Sequence, residues 1–97
     1  MADLPAEFAL HTARPNPFAH ATAIRFDLPR ASDMKLEVFD VQGRRIATLS
    51  SGPRGAGRHM TQWDGRTDSG ARAGGGIYLC RMTAGEFHAE RRITLLP

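Results

Sequence analysis

A series of short runs in which apolar and polar residues alternate limits what this chain can form. In "TAIRFDLP" the side chains of Ile24, Phe26 and Leu28 fall on one face, and Pro29 ends the run because proline cannot donate to a strand ladder. Turn residues separate the other runs, none of which has helical spacing: "EFALHTARP", "MKLEVFD", "RRIATLS", "RHMTQWD", "GIYLCRMTAG" and "FHAERRITLL". The pattern predicts about seven strands and no strong helix.

The number and spacing of these runs are typical of an all-β, immunoglobulin-like sandwich of about seven antiparallel strands in two sheets. A parallel sheet is excluded because the runs follow one another too closely for helical crossovers. Gln42 and Gly43 are expected to form a tight hairpin in which Asp40 bonds backbone amides, and "AGE" is expected to form a second hairpin. The segment "SGPRGAG" is expected to be a loop.

The composition suits a single domain, because 41% of the 97 residues are hydrophobic, far more than in a disordered chain. The net charge is +3, yet the basic residues are dispersed among acidic ones and do not form the concentrated patch of a nucleic-acid interface. No window reaches the roughly 18 apolar residues of a membrane span. "MADLPAEF" also lacks the features of a signal peptide.

Four blocks of sequence, in a fixed order, carry a resemblance to known domains: "RPNPFAHATAIRFDLP", "KLEVFDVQGRRIATL", "GRHMTQWDGRTDSG" and "GGGIYLCRMTAGEFHAERRITLLP". They resemble the C-terminal sorting domain of type IX secretion and the immunoglobulin-like domain of the flagellar hook-capping protein. The resemblance covers residues 13–97, and residues 1–12 are expected to be a lead-in with a possible first strand. The motif residues are Asn16, Pro17, Phe18, Asp40, Gly43, Trp63, Asp64, Gly65, Gly76 and Tyr78.

The resemblance implies a non-catalytic module at the C-terminus of a larger exported bacterial protein, often a hydrolase. Secretion or anchoring proteins of the outer membrane would recognise it after passage through the periplasm, and its location would be secreted or at the cell surface. The neighbouring domain of the parent protein would be a second partner, and no cofactor is expected. The alternative is an assembly or spacer domain, as in a flagellar hook cap.

The last strand is a candidate docking strand, because an unpaired ladder at a sheet edge can accept a strand from a partner. Its candidate residues are Arg91, Arg92, Ile93, Leu95 and Leu96.

The stretch "WDGRTDSGARAGGGIY" could hold an ion or could only connect two strands. Asp64 and Asp68 lack the ligand pattern of an EF-hand, and the glycines lead into a strand rather than into the helix that a phosphate loop needs. We therefore expect both aspartates to cap turns by accepting hydrogen bonds from amides two residues on. Gly65 and Gly70 would take positive φ.

Other side chains that could carry chemistry have structural interpretations that fit better. Cys80, the only cysteine, excludes an internal disulfide and lies in phase with apolar neighbours, which favours a buried, inert thiol. The four histidines show no metal-binding spacing, and no nucleophile elbow is present. Trp63 is expected in the core, whereas carbohydrate binding would require Trp63 or Tyr78 to be exposed on a concave face.

Overall fold

Seven antiparallel strands form two sheets in the computed structural model, which describes residues 3–97. The strands are β1 (Ala9–Leu10), β2 (Thr22–Leu28), β3 (Ser32–Asp40), β4 (Arg45–Arg54), β5 (Gly57–Trp63), β6 (Gly76–Ala84) and β7 (Phe87–Leu95). One sheet has the order β1-β2-β5 and the other the order β4-β3-β6-β7. The predicted all-β, immunoglobulin-like sandwich is confirmed. Met1 and Ala2 of the lead-in lie outside the described residues.

The core is built from the alternating faces that the sequence predicts. Along β2, Ile24, Phe26 and Leu28 are at most 2% exposed, while Arg25 between them is exposed. The same alternation buries one face of β3, of β6 and of the end of β7, because successive side chains of a strand point to opposite faces. Other core residues include Met34, Leu36, Val38, Ala47, Trp63, Tyr78, Cys80, Met82, Ile93 and Leu95.

The two predicted hairpins are present. The Asp40 carboxylate accepts hydrogen bonds from the amides of Gln42 and Arg44, and Gly43 takes a φ of 83° that favours glycine. These hydrogen bonds hold the pKa of the Asp40 carboxyl below its usual range, and the bond from the Arg44 amide has the largest effect. Gly85, with a φ of 59°, turns the chain between β6 and β7.

The predicted loop "SGPRGAG" is largely strand, so that prediction is wrong. β4 continues to Arg54, and only Gly55 and Ala56 separate it from β5. Pro53 is tolerated because β4 is an edge strand of its sheet, where a missing N–H removes no interior ladder bond. Two register shifts accompany this long edge pairing, because Leu49 and Ile46 of β4 have no partner residue in β3.

Candidate functional site

The Asn16-Pro17-Phe18 motif covers the outer edge of β7. The Phe18 amide donates to the Thr94 carbonyl at 3.0 Å, and the Leu96 amide donates to the Phe18 carbonyl at 2.8 Å. The Asn16 carboxamide completes the cover by accepting from the Thr94 amide and donating to the Arg92 carbonyl, both at 2.9 Å. The motif therefore acts as a short parallel strand beside the end of β7.

Phe18 also fixes this cover to the core. Its side chain is 1% exposed and lies 5.5 Å, centroid to centroid, from the Trp63 ring, which in turn meets Tyr78 edge-on at 5.1 Å. The Trp63 indole N–H donates to the Arg66 carbonyl, and the Tyr78 hydroxyl donates to the Gly74 carbonyl. Three motif aromatics distant in sequence thus form one buried cluster.

The candidate docking strand needs correction at this point. The backbone edge from Arg92 to Leu96 already pairs with Asn16 and Phe18, so a partner cannot add a strand there without displacing the motif. Ile93 and Leu95 are buried at 0% and 1% exposure. Sequence alone could not reveal this, since the covering residues are nearly eighty positions away.

Arg91, Arg92 and Leu96 are the exposed residues of the candidate docking segment, and Arg91 also makes a structural contact. Arg91 lies in phase with buried Ile93, but its side chain extends to the open side of the sandwich, where Nε donates to the Leu10 carbonyl at 2.7 Å. It therefore joins β7 to β1 across the two sheets. Leu96 is 44% exposed.

The turn that follows Trp63 is an Asx turn, as predicted for Asp64. The Asp64 carboxylate accepts from the Arg66 amide at 3.1 Å, and Gly65 takes a φ of 78°. A side chain at Gly65 would also approach Leu95 of β7 to 3.3 Å, so close packing requires glycine here as well. Gly76, with a φ of 149°, begins β6 opposite Leu95.

Asp68 does not cap its own turn, contrary to prediction. Its carboxylate accepts from the Thr48 amide at 2.9 Å, and its own amide donates to the Ile46 carbonyl at 3.1 Å. Both partners lie on the outer edge of β4, so Asp68 covers that edge as Asn16 covers β7. Gly70 has the expected positive φ, 91°.

Some of the dispersed arginines make contacts within the domain. Arg72 donates to the Ala19 carbonyl at 2.6 Å and lies 3.4 Å from the Asp64 carbonyl, so it joins the segment after Phe18 to the turn after Trp63. On the outer face of the four-stranded sheet, Arg81 pairs with Glu90 at 2.7 Å. These contacts use guanidinium donors within the domain.

The buried thiol has the expected structural character. Cys80 is fully buried, and desolvation raises the pKa of its thiol to about 12. The reactive species of cysteine is the thiolate, so a thiol in this setting is a poor nucleophile. Among residues 3–97, no group of three or more His, Cys, Asp or Glu side chains is placed to hold a metal ion.

The burial of both candidate sugar-binding aromatics removes carbohydrate stacking as a function. Trp63 is 2% exposed and Tyr78 8% exposed, and each ring packs between the sheets. Stacking on a sugar requires a ring face open to solvent, and neither ring has one. The third alternative raised by the sequence is therefore wrong.

The fold and its covered edges define an immunoglobulin-like β-sandwich module whose motif residues serve structure. Residues 16–86 match the family described as the FlgD Ig-like domain. The chain belongs to that family, which confirms the resemblance seen in the sequence. No curated protein matches the chain.

Two solved structures share the fold. Dimeric latent PorU from Porphyromonas gingivalis matches with a TM-score of 0.71 and 18% identity over 98% of this chain, which spans 10% of the PorU chain. FlgD from P. aeruginosa matches with a TM-score of 0.60 and 18% identity over 97% of this chain and 74% of its own. No helix in the described part of the chain is long and apolar enough to cross a membrane.

Proposed function

We propose that this domain is a non-catalytic C-terminal module of a larger exported bacterial protein, recognised by secretion or surface-anchoring machinery. The observation that carries the proposal is the family match over residues 16–86, together with a fold that corresponds to a small part of a much longer chain in PorU. The module would act by protein–protein docking in the periplasm or at the cell surface, without a cofactor.

The motif residues support this proposal as scaffold rather than as contact residues. Asn16, Phe18, Trp63 and Asp64 hold the edge of β7 and the adjoining turn in place. Recognition is therefore assigned to exposed residues around them, including Arg92 and Leu96 at the end of the chain.

An export assay tests the proposal. A reporter carrying its own signal peptide is fused to all 97 residues, because Leu10 of β1 is part of the core and a fusion beginning at residue 13 would lack it. In a bacterium with type IX secretion we expect the reporter outside the cell. A fusion with Leu96→Ser tests the exposed end, and a reporter without the domain is the control. Retention of a folded, complete fusion in the periplasm would contradict the sorting role.

A second candidate is an assembly or spacer domain beside other domains of a scaffold protein. The observation that favours it is the match to FlgD of P. aeruginosa, of which this chain spans about three quarters. The sequence of the parent protein separates the candidates. A domain at the end of a long exported enzyme favours sorting, whereas one inside a flagellar scaffold favours assembly.

A further inference from the structure

The four lateral edges of the sandwich differ in how well they are covered. The Asn16–Phe18 segment covers the end of β7, Asp68 and Pro53 interrupt the edge of β4, and β1 is only two residues long. β5 is seven residues long and has none of these protections. Sheet edges in native proteins are normally blunted, so β5, the longest uncovered edge, is a candidate for strand addition, while the uncovered start of β7 is shorter.

The hydrogen-bonding pattern of β2 shows which groups of β5 are open. Arg14 and Ala23 exchange both backbone hydrogen bonds, and the His11 amide donates to the Arg25 carbonyl, so Ala23 and Arg25 face β1. Their partners across the β2–β5 pair are Gln62 and Met60. Because alternate residues of an antiparallel strand bond to opposite sides, Met60 and Gln62 face outward from β5.

Arg58 follows the same alternation, with Asp27 as its partner in β2. The amides and carbonyls of Arg58, Met60 and Gln62 have no hydrogen-bond partner within residues 3–97. The open edge of β5 is therefore defined by these three residues.

The side chains around this edge specify the chemistry of an added strand. Met60 is 55% exposed, and a groove of about 480 Å³ beside it is lined by two arginines, Arg25 and Arg58. Arg58 donates to the Asp3 carbonyl at 2.6 Å and lies 3.8 Å from the Asp3 carboxylate, which is 94% exposed, so a partner carboxylate would take the place of this exposed one. Arg25 has no acidic partner within the described chain, and the carboxylate that lines the groove, that of Asp27, lies 2.9 Å from a histidine ring. Opposite charges in neighbouring strands attract, whereas like charges repel.

We propose that the open edge of β5 binds an extended segment of a partner protein that carries a carboxylate and an apolar side chain two residues apart. The carboxylate would lie beside Arg58 and the apolar side chain beside Met60, since residues two apart share one face of a strand. Affinity would come from main-chain hydrogen bonds to the three open residues, and selectivity from the two side chains. The inference rests on the proposed function, because it names the surface that a partner uses.

The test uses a seven-residue threonine peptide with one glutamate and one valine two positions apart. A peptide with lysine in place of the glutamate is its counterpart. We expect NMR to show slower hydrogen exchange at the amides of Arg58, Met60 and Gln62 when the glutamate peptide is added. Protection at His88 or Glu90 of β7 instead, or no binding, would overturn the proposal. Concentration-dependent self-association that protects the same three amides without peptide would also overturn it, in favour of a second copy of the chain.

Two variants separate main-chain pairing from side-chain selection. Met60→Pro removes an outward N–H that the folded domain does not use, and we expect about tenfold weaker peptide binding from the lost hydrogen bond and the bulk of the ring. Met60→Thr keeps the N–H and should lose less. If the proline variant binds the glutamate peptide as well as the parent chain does, strand addition at β5 is wrong.

Arg58→Glu decides the matter if Met60→Pro fails to fold, because Arg58 is exposed. This variant should prefer the lysine peptide, while Lys35→Glu, an equal charge change at an exposed residue of the other sheet, should keep the original preference. An unchanged preference in Arg58→Glu would contradict the assigned orientation. Peptide binding is measured in vitro and export is measured in cells. Export without peptide binding would contradict only the proposal for the β5 edge. Peptide binding without export would contradict only the sorting role.

Discussion

The two edges of the four-stranded sheet are covered by the same device but with different anchorage. At each edge a short polar side chain and a nearby backbone amide satisfy the outward groups of the strand, through Asn16 and Phe18 at β7 and through Asp68 at β4. At β7 the cover is joined to a buried aromatic ring. At β4 it belongs to an exposed loop. We therefore expect the two edges to differ in local stability although their hydrogen bonds are comparable, with the β7 edge opening less readily than the β4 edge.

The largest expected effect is that of Phe18→Ala. It removes a fully buried ring from the cluster with Trp63 and should lower the free energy of unfolding by about 3–5 kcal/mol. Urea unfolding followed by tryptophan fluorescence measures the loss. A loss below about 1 kcal/mol would contradict the claim that the β7 cover is anchored in the core.

Asn16→Ala tests the polar half of the same cover. Two hydrogen bonds are lost, to Thr94 and Arg92, while Phe18 remains, so we expect a loss of about 1–2 kcal/mol. Hydrogen exchange at the Thr94 amide should become faster. Asn16→Asp is the matched control, because it keeps the acceptor for the Thr94 amide but loses the donor to Arg92. The free energy of unfolding of Asn16→Asp should lie between that of the parent chain and that of the alanine variant.

Asp68→Ala makes the corresponding change at β4. One carboxylate hydrogen bond is lost at an exposed site, so the expected cost is about 0.5–1.5 kcal/mol. Faster exchange at the Thr48 amide, with Thr94 unchanged, would show that the two edges open independently. Equal acceleration at both amides would mean that the covers form one cooperative unit.

Acidification should act on the β3–β4 hairpin and leave the β7 cover intact. The pKa of Asp40 is lowered in the folded domain, so its stabilising contribution is present above the unfolded pKa of roughly 3.9 and is lost as the pH falls through the lower folded value. The Asn16 carboxamide does not titrate in this range. Amide shifts of Gln42 and Arg44 should follow this titration, and Asp40→Asn should abolish it. A hairpin indifferent to pH would contradict the role of the carboxylate.

Local pattern made part of this structure predictable. The alternation along β2 and β6 predicted which side chains enter the core, since the period of a strand is two whatever it packs against. Asp40 with Gly43, and Asp64 with Gly65, predicted turns because a short carboxylate and a positive φ act within a few residues. The prediction of a loop at "SGPRGAG" was wrong because proline and glycine are typical of loops but are also accepted in an edge strand such as β4.

The role of Asp68 was not predictable, because its partner, Thr48, lies twenty positions away on another strand. Nor was the cover of β7, which joins Asn16 to Thr94 across 78 positions. The open edge of β5 was also not predictable, since which strands lie at the edge depends on the pairing of all strands in the sheet.

By itself the sequence determined the strands, their buried faces, two hairpins and the family, because these depend on short-range periodicity, turn chemistry and ordered motifs. The tertiary structure alone decided which parts of the sheet edges are covered and which remain open. Edge cover depends on contacts between distant segments, whose geometry follows from how the two sheets pack. For this reason the candidate docking edge is Arg58, Met60 and Gln62 of β5 and not the end of β7 that the sequence predicted.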